Sequence, residues 1–208
     1  MIITLRDKIL AQIEDRAAFI RHLIEEYPKL LAEWTDKTDK SFKEIAEEYA
    51  EGDFDVYRTT YSSFLSAFNE NDYREDMFYK AMVLIVYSYY EGIVGFLARK
   101  KKSDDLINQI CEANKIEISD NAKATNDYIQ SNIRHLRNHL AHNNLNSTKQ
   151  KEHIERISKE WPEITFSEED DVKITGSAFI LDSLDKEELV LKELCEKLGF
   201  KHKRVQTK

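Results

Sequence analysis

Glycine and proline are scarce in this 208-residue chain: five of the first and two of the second. A β-sandwich or barrel needs a turn every 8–12 residues or so, and a doubly wound α/β sheet needs glycine-rich crossings. Neither supply exists, so the composition points to helices. Cysteine is equally sparse. Cys111 and Cys195 stand 84 residues apart, a spacing that suits neither a metal knuckle nor a redox pair. Nothing in the first 29 residues reads as a signal peptide, so the expectation is a reduced, cytoplasmic protein. Long apolar runs number one, Ala81 to Ala98, with Glu91 its only charge. A mid-span charge costs about 2.5–3.5 kcal/mol on insertion scales, and Ser88, Gly92, Gly95 and three tyrosines dilute the run. A buried core helix and no membrane partner is the reading. A net charge of −8 excludes coating nucleic acid by electrostatics alone.

What is present is helical periodicity. Ile3–Tyr27 steps apolar residues at helical spacing (Leu5, Ile9, Ile13, Ala17, Ile20, Ile24), and Pro28 is expected to stop it. Thr35–Lys40 reads as a charged connection and Ser41–Glu51 as a short helix ending near Gly52. Val56–Phe68 carries an aromatic stripe, Tyr57, Tyr61, Phe64 and Phe68. After a polar turn at Asn69–Asn71, Asp72–Lys102 reads as the longest helix. Asp104–Asn114 is short. Ser119 is placed to cap a helix running to His142, ended by Asn143 and Asn144. Ser147 with Gln150 suggests a capping box for Thr148–Trp161. Ile164–Phe166 and Val172–Thr175, bracketing Glu168–Asp171, suggest a small hairpin near 164–175. Leu184–Leu198 is a last amphipathic helix with Gly199 beyond it, and Lys201–Lys208 a basic tail. With no repeat and no linker, residues 1–208 are expected to be one all-α domain: N-terminal helices over 1–70, a core over 72–198, and the tail.

Charge is distributed unevenly. From Tyr128 to Lys151 there is no acidic residue, while Arg134, Arg137, Lys149, Lys151, His135, His139 and His142 all fall there. An acidic body with one basic, histidine-rich window suits a localised anion site. Within Ile133–Asn144 the helical wheel gives a narrow apolar stripe of Ile133, Leu136 and Leu140, flanked by cations, amides and imidazoles. The bland reading is a solvated basic face at the edge of a bundle. A zinc site on His135, His139 and His142, which share roughly 60° of the wheel, lacks a fourth ligand. Leu136 stands where a metalloprotease has its glutamate, and two arginines would repel the ion. No metal and no other cofactor is expected. A serine or cysteine nucleophile has no GxSxG and no nearby histidine behind it.

Arg137-Asn138-His139-Leu140-Ala141-His142 resembles the R-polar-x-x-x-H motif of the HEPN superfamily. Met77–Leu97, with its Tyr87–Gly92 segment, is similar to the long core helix of the RNase-type branches. Ile174–Leu198 is similar to their C-terminal region, so the resemblance covers Asp72–Leu198. It implies an up-and-down helical bundle with additional helices. It also implies a metal-independent RNA endonuclease that leaves a 2′,3′-cyclic phosphate and a 5′-hydroxyl, with catalytic Arg137, Asn138 and His142. Such proteins act as homodimers, often as toxins or phage-defence effectors with a cognate antitoxin or defence-system partner. A second register, Arg134 with His139, satisfies the same letters. Asn144 stands where the branch paired with nucleotidyltransferase antitoxins has a tyrosine, so control by modification of that tyrosine is not expected.

Chemistry supports the same residues. Histidine near its ordinary pKa can accept or donate a proton, and arginine's planar fork grips two phosphate oxygens while staying charged. His142 at a helix C-terminus would have its cationic form favoured. Arg137 and His142 diverge by about 140° around one helix, a difficulty that a two-fold dimer removes. Glu91 and its packed neighbours suggest a supporting carboxylate needing a partner, Arg137 or Arg99; Arg134 and His139 are further supporting candidates. The rival readings are a HEPN module that binds RNA or nucleotide without cutting, and a helical scaffold for an acidic partner.

Overall fold

The structure is a computed structural model describing residues 5–70, 74–98, 106–142, 148–166 and 172–199, with the side chains of Leu5, Arg6, Glu70, His142 and 148–151 excepted. Among these residues, eight α-helices and one two-stranded sheet make an all-α protein: α1 Leu5–Ala50, α2 Phe54–Glu70, α3 Arg74–Ala98, α4 Leu106–Asn114, α5 Asp120–Tyr128, α6 Arg134–His142, α7 Thr148–Glu160, then β1 Ile164–Phe166, β2 Val172–Ile174 and α8 Ala178–Leu198. A π-helical turn, Ile129–Ile133, joins α5 to α6. The chain divides into two compact units. One comprises Met1–Arg21 with Tyr79–Lys208, the other His22–Phe78, and the divisions fall inside α1 and α3 rather than at a linker.

The His22–Phe78 unit corrects the N-terminal reading. Pro28 does not stop the first helix: α1 runs through it for 46 residues, absorbing Thr35–Lys40 and Ser41–Glu51. An internal proline costs roughly 3 kcal/mol, and neighbouring contacts offset it. Tyr27 stacks on Phe78 at 3.6 Å, and Trp34 and Phe42 pack on Phe68 and Phe64 of α2. The Arg74 guanidinium lies 3.6 Å over the Trp34 ring. The polar stretch read as a connection satisfies itself within the helix. Thr35 and Thr38 donate to the carbonyls of Leu31 and Trp34, and Lys43 pairs with Asp39 at 2.8 Å. The helix ends at Glu51 and Gly52, both at positive φ, and Asp53 caps α2 by accepting from the Asp55 and Val56 amides. The stripe Tyr57, Tyr61, Phe64 and Phe68 lies on α2, where Phe64 and Phe68 face α1 and Tyr61 donates to Asp39.

In the other unit α3 buries Met82, Val83, Val86, Tyr87, Tyr90, Ile93 and Val94. Within Phe54–Ala98 an 18-residue apolar window has the length and composition of a membrane crossing, and 44% of that window is buried inside the protein. Tyr89 donates to the Ile13 carbonyl of α1, and Tyr90 donates to Asn126 Oδ1 at 2.7 Å, tying α3 to α5. Ser119 caps α5 as its position suggested, accepting from the Ala122 amide. α5 and the π-turn pack on α8, and α6 packs on α7.

The hairpin pairs Ile164 with Ile174 and Phe166 with Val172, ending one residue short of the expected Thr175. α8 begins at Ala178 rather than Leu184, and ends at Gly199 in the left-handed conformation. Its early start has a cause outside the helix. Glu163 Oε1 accepts from the Phe179 amide at 2.6 Å, in place of a cap from Ser177. A Cβ on Gly176 would sit 3.1 Å from Glu163 Cβ, so this glycine admits the capping side chain. Expectations at Asn71, Asp72, Arg99–Asp104, Asn143, Asn144, Ser147, Glu168–Asp171 and Lys201–Lys208 lie outside the described residues, as does the Gln150 side chain.

Candidate functional site

The π-turn sets the stage for the basic window. The Arg134 amide reaches back five residues to the Ile129 carbonyl, which widens the helix and changes the phase of the residues after it. A stripe drawn at 3.6 residues per turn puts Leu140 inward. In the structure Ile133, Leu136 and His139 are buried, His139 at 2% exposure, and Leu140 is only half-buried. His139 is therefore a core residue.

Arg137 projects from the flank of that buried stripe. Its Nη2 donates to Glu91 Oε2 of α3 at 2.8 Å and its Nη1 to Asn138 Oδ1 at 2.8 Å. The guanidinium lies 5.4 Å from the centre of the buried Tyr87 ring. So Arg137, one of the two partners offered to Glu91 by the sequence, is the one it meets; Arg99 lies outside the described residues. The pair is half in water, 23% and 46% exposed, and contributes at most about 1 kcal/mol to stability. Its effect is positional. Two hydrogen bonds fix the plane of the fork and leave its other N–H groups for a ligand. Arg134 is partly buried and, with Arg137, adds positive field at Tyr87, whose hydroxyl is nevertheless pushed up chiefly by burial. His142 is the last residue of α6, so its backbone stands at the helix C-terminus, while its side chain lies outside the described residues.

Three residues escaped the sequence reading. Glu187 of α8 is completely buried, and neither carboxyl oxygen has a hydrogen-bond partner among the described residues. Burial, reinforced by Glu91, pushes its pKa well above the carboxylate range and so favours the neutral carboxyl. The signal was present: Ile180, Leu184, Leu191 and Leu194 form the inward stripe of α8, and Glu187 occupies its middle. His153 and Arg156 of α7 are the other two. The His153 ring stacks on His135 at 4.1 Å, and Arg156 Nη2 bonds Asn132 Oδ1 at 2.5 Å. Their spacing at i, i+3 on a helix flanking the basic window was legible, but which face would meet α6 was not. Among the described residues no three His, Cys, Asp or Glu side chains converge as a metal site.

No protein-family model, no curated protein and no solved structure matches this chain.

Proposed function

We propose that this chain is a HEPN-type RNA endonuclease that works without metal as a homodimer, in the role of a toxin or defence effector. The observation that carries the reading is the anchored guanidinium of Arg137, held between Glu91 and Asn138 within the motif that resembles the HEPN signature. In that reading the RNA 2′-hydroxyl attacks the adjacent phosphorus. The P–O2′ bond forms, the P–O5′ bond breaks, and a 2′,3′-cyclic phosphate and a 5′-hydroxyl result. Arg137 offers positive charge to the oxygens on which negative charge accumulates. His142, at the end of α6, takes the proton from O2′, and its copy across the dimer returns one to O5′. Burial of His139 favours the Arg137/His142 register over Arg134/His139, because a core imidazole cannot reach a substrate phosphate.

The test is a cleavage assay with purified protein and RNA in the presence of EDTA, with end-group analysis. Cyclic-phosphate ends generated in EDTA support the reading. One observation favours the non-catalytic alternative: the Glu91 carboxylate neutralises the arginine that a phosphate would need. Tight RNA or nucleotide binding with no cleavage would establish that alternative.

A further inference from the structure

On the other flank of α6, two imidazoles and a guanidinium gather, with no carboxylate paired to them among the described residues. His135 stacks on His153 with rings 4.1 Å apart and 7° from parallel. Arg156 Nη2 lies 3.0 Å from His153 Nδ1, besides its bonds to Asn132 Oδ1 and, at 3.4 Å, to the Ser131 carbonyl. A guanidinium only donates, so His153 Nδ1 must accept and its proton sits on Nε2. No acidic side chain among the described residues pairs with His135, His153 or Arg156. The Nδ1 atom of His135 is buried with no hydrogen-bond partner among the described residues. Burial holds the His135 pKa down, and the nearby Arg134 and Arg156 guanidinium groups act in the same direction. The His153 Nε2–H and the Arg156 N–H groups not engaged by Asn132, Ser131 and His153 remain as donors that a bound anion would complete.

We propose that His135, His153 and Arg156 form a phosphate-binding subsite that takes a backbone phosphate of RNA, a second contact beside Arg137. The assignment of the phosphate to RNA rests on the RNA reading above; the anion chemistry does not. His135 and Arg137 flank the buried Leu136 on opposite sides, with Arg134, Asn138 and Ala141 on the outward face between them. A strand crossing that face would meet Arg137 on one side and the histidine pair on the other. The separation is on the order of a helix width, about 10 Å, so two different phosphates are engaged.

Two arms separate the sources of phosphate. Inorganic pyrophosphate is titrated into the full chain while the imidazole Cε1–H resonances are followed by NMR. His135 and His153 should shift together, and the response should vanish in Arg156→Gln. No shift at either histidine overturns the subsite. In the second arm, binding of a short single-stranded RNA is measured across a salt series in a His142→Ala background. Arg156→Gln should weaken it about tenfold and flatten the slope of log K against log salt by about 0.7. His153→Phe keeps the ring stack but removes the nitrogens, so it should weaken binding in the same sense with the fold intact. Unchanged RNA affinity and slope alongside a pyrophosphate response would overturn the RNA assignment. A chain that answers pyrophosphate but binds no RNA at all would overturn the parent reading, leaving the anion site.

Discussion

At the scale of the residue, three histidines that look alike in sequence have three different surroundings. His139 is core, His135 is stacked, and His142 ends a helix. His142→Ala is therefore expected to abolish cleavage with circular dichroism and melting temperature nearly unchanged. His139→Ala should instead cost about 2 kcal/mol of stability through a cavity and a lost buried polar group, measured by urea denaturation. Cleavage that survives His142→Ala would refute the register. Glu187 makes a second test at this scale. Its folded pKa lies above the unfolded value, so below about pH 4.3 it is protonated in both states and costs little. As pH rises, the unfolded chain releases the proton while the folded chain keeps it, and stability falls. The advantage of Glu187→Gln over the parent in thermal melts should consequently grow from pH 4 to pH 7. A pH-independent difference would mean that the carboxyl ionises as it does in water.

At the scale of the element, Pro28 and the π-turn are where periodicity misleads. A proline inside α1 removes one backbone donor and presses on the preceding turn, yet aromatic packing on both sides keeps the helix going. Pro28→Ala should stabilise the protein by up to about 3 kcal/mol, read from the urea midpoint at constant m. Loss of stability on that substitution would show that the proline geometry is itself required. The helical periods, the Ser119 cap, the Gly199 stop and the hairpin strands were all legible, because each is fixed by neighbours in sequence. The first six residues of α8 were not, since the carboxylate that accepts from the Phe179 amide comes from Glu163, on the far side of the hairpin. Nor was the π-turn, whose i→i+5 bonding has no residue signature in Ile129–Ile133.

At the scale of the whole molecule, the proposed activity needs a second copy. The helix Asp127–His142 is expected at its interface, which should bury roughly 1,200–2,000 Å² in total if stable. Ile133 and Leu136 are not free to build it, because both are spent on the core of one chain. Mixing Arg137→Ala chains with His142→Ala chains should restore part of the cleavage if each site draws its arginine and histidine from different copies. A protein that is monomeric by light scattering and still cuts RNA would end the dimer argument.

The helical class and the basic window were set by the order of residues alone, since composition and period are local properties, and the candidate roles of Arg137, Asn138 and His142 are what the resemblance of that short motif implies. Packing settled that Glu91 would meet Arg137, that His139 would be buried, and that Glu187 would be sealed from water. It also brought His153 and Arg156 beside His135. Those outcomes depend on which faces of α3, α6, α7 and α8 pack together. Contacts between residues far apart in the chain fix that choice, and no helical wheel contains them.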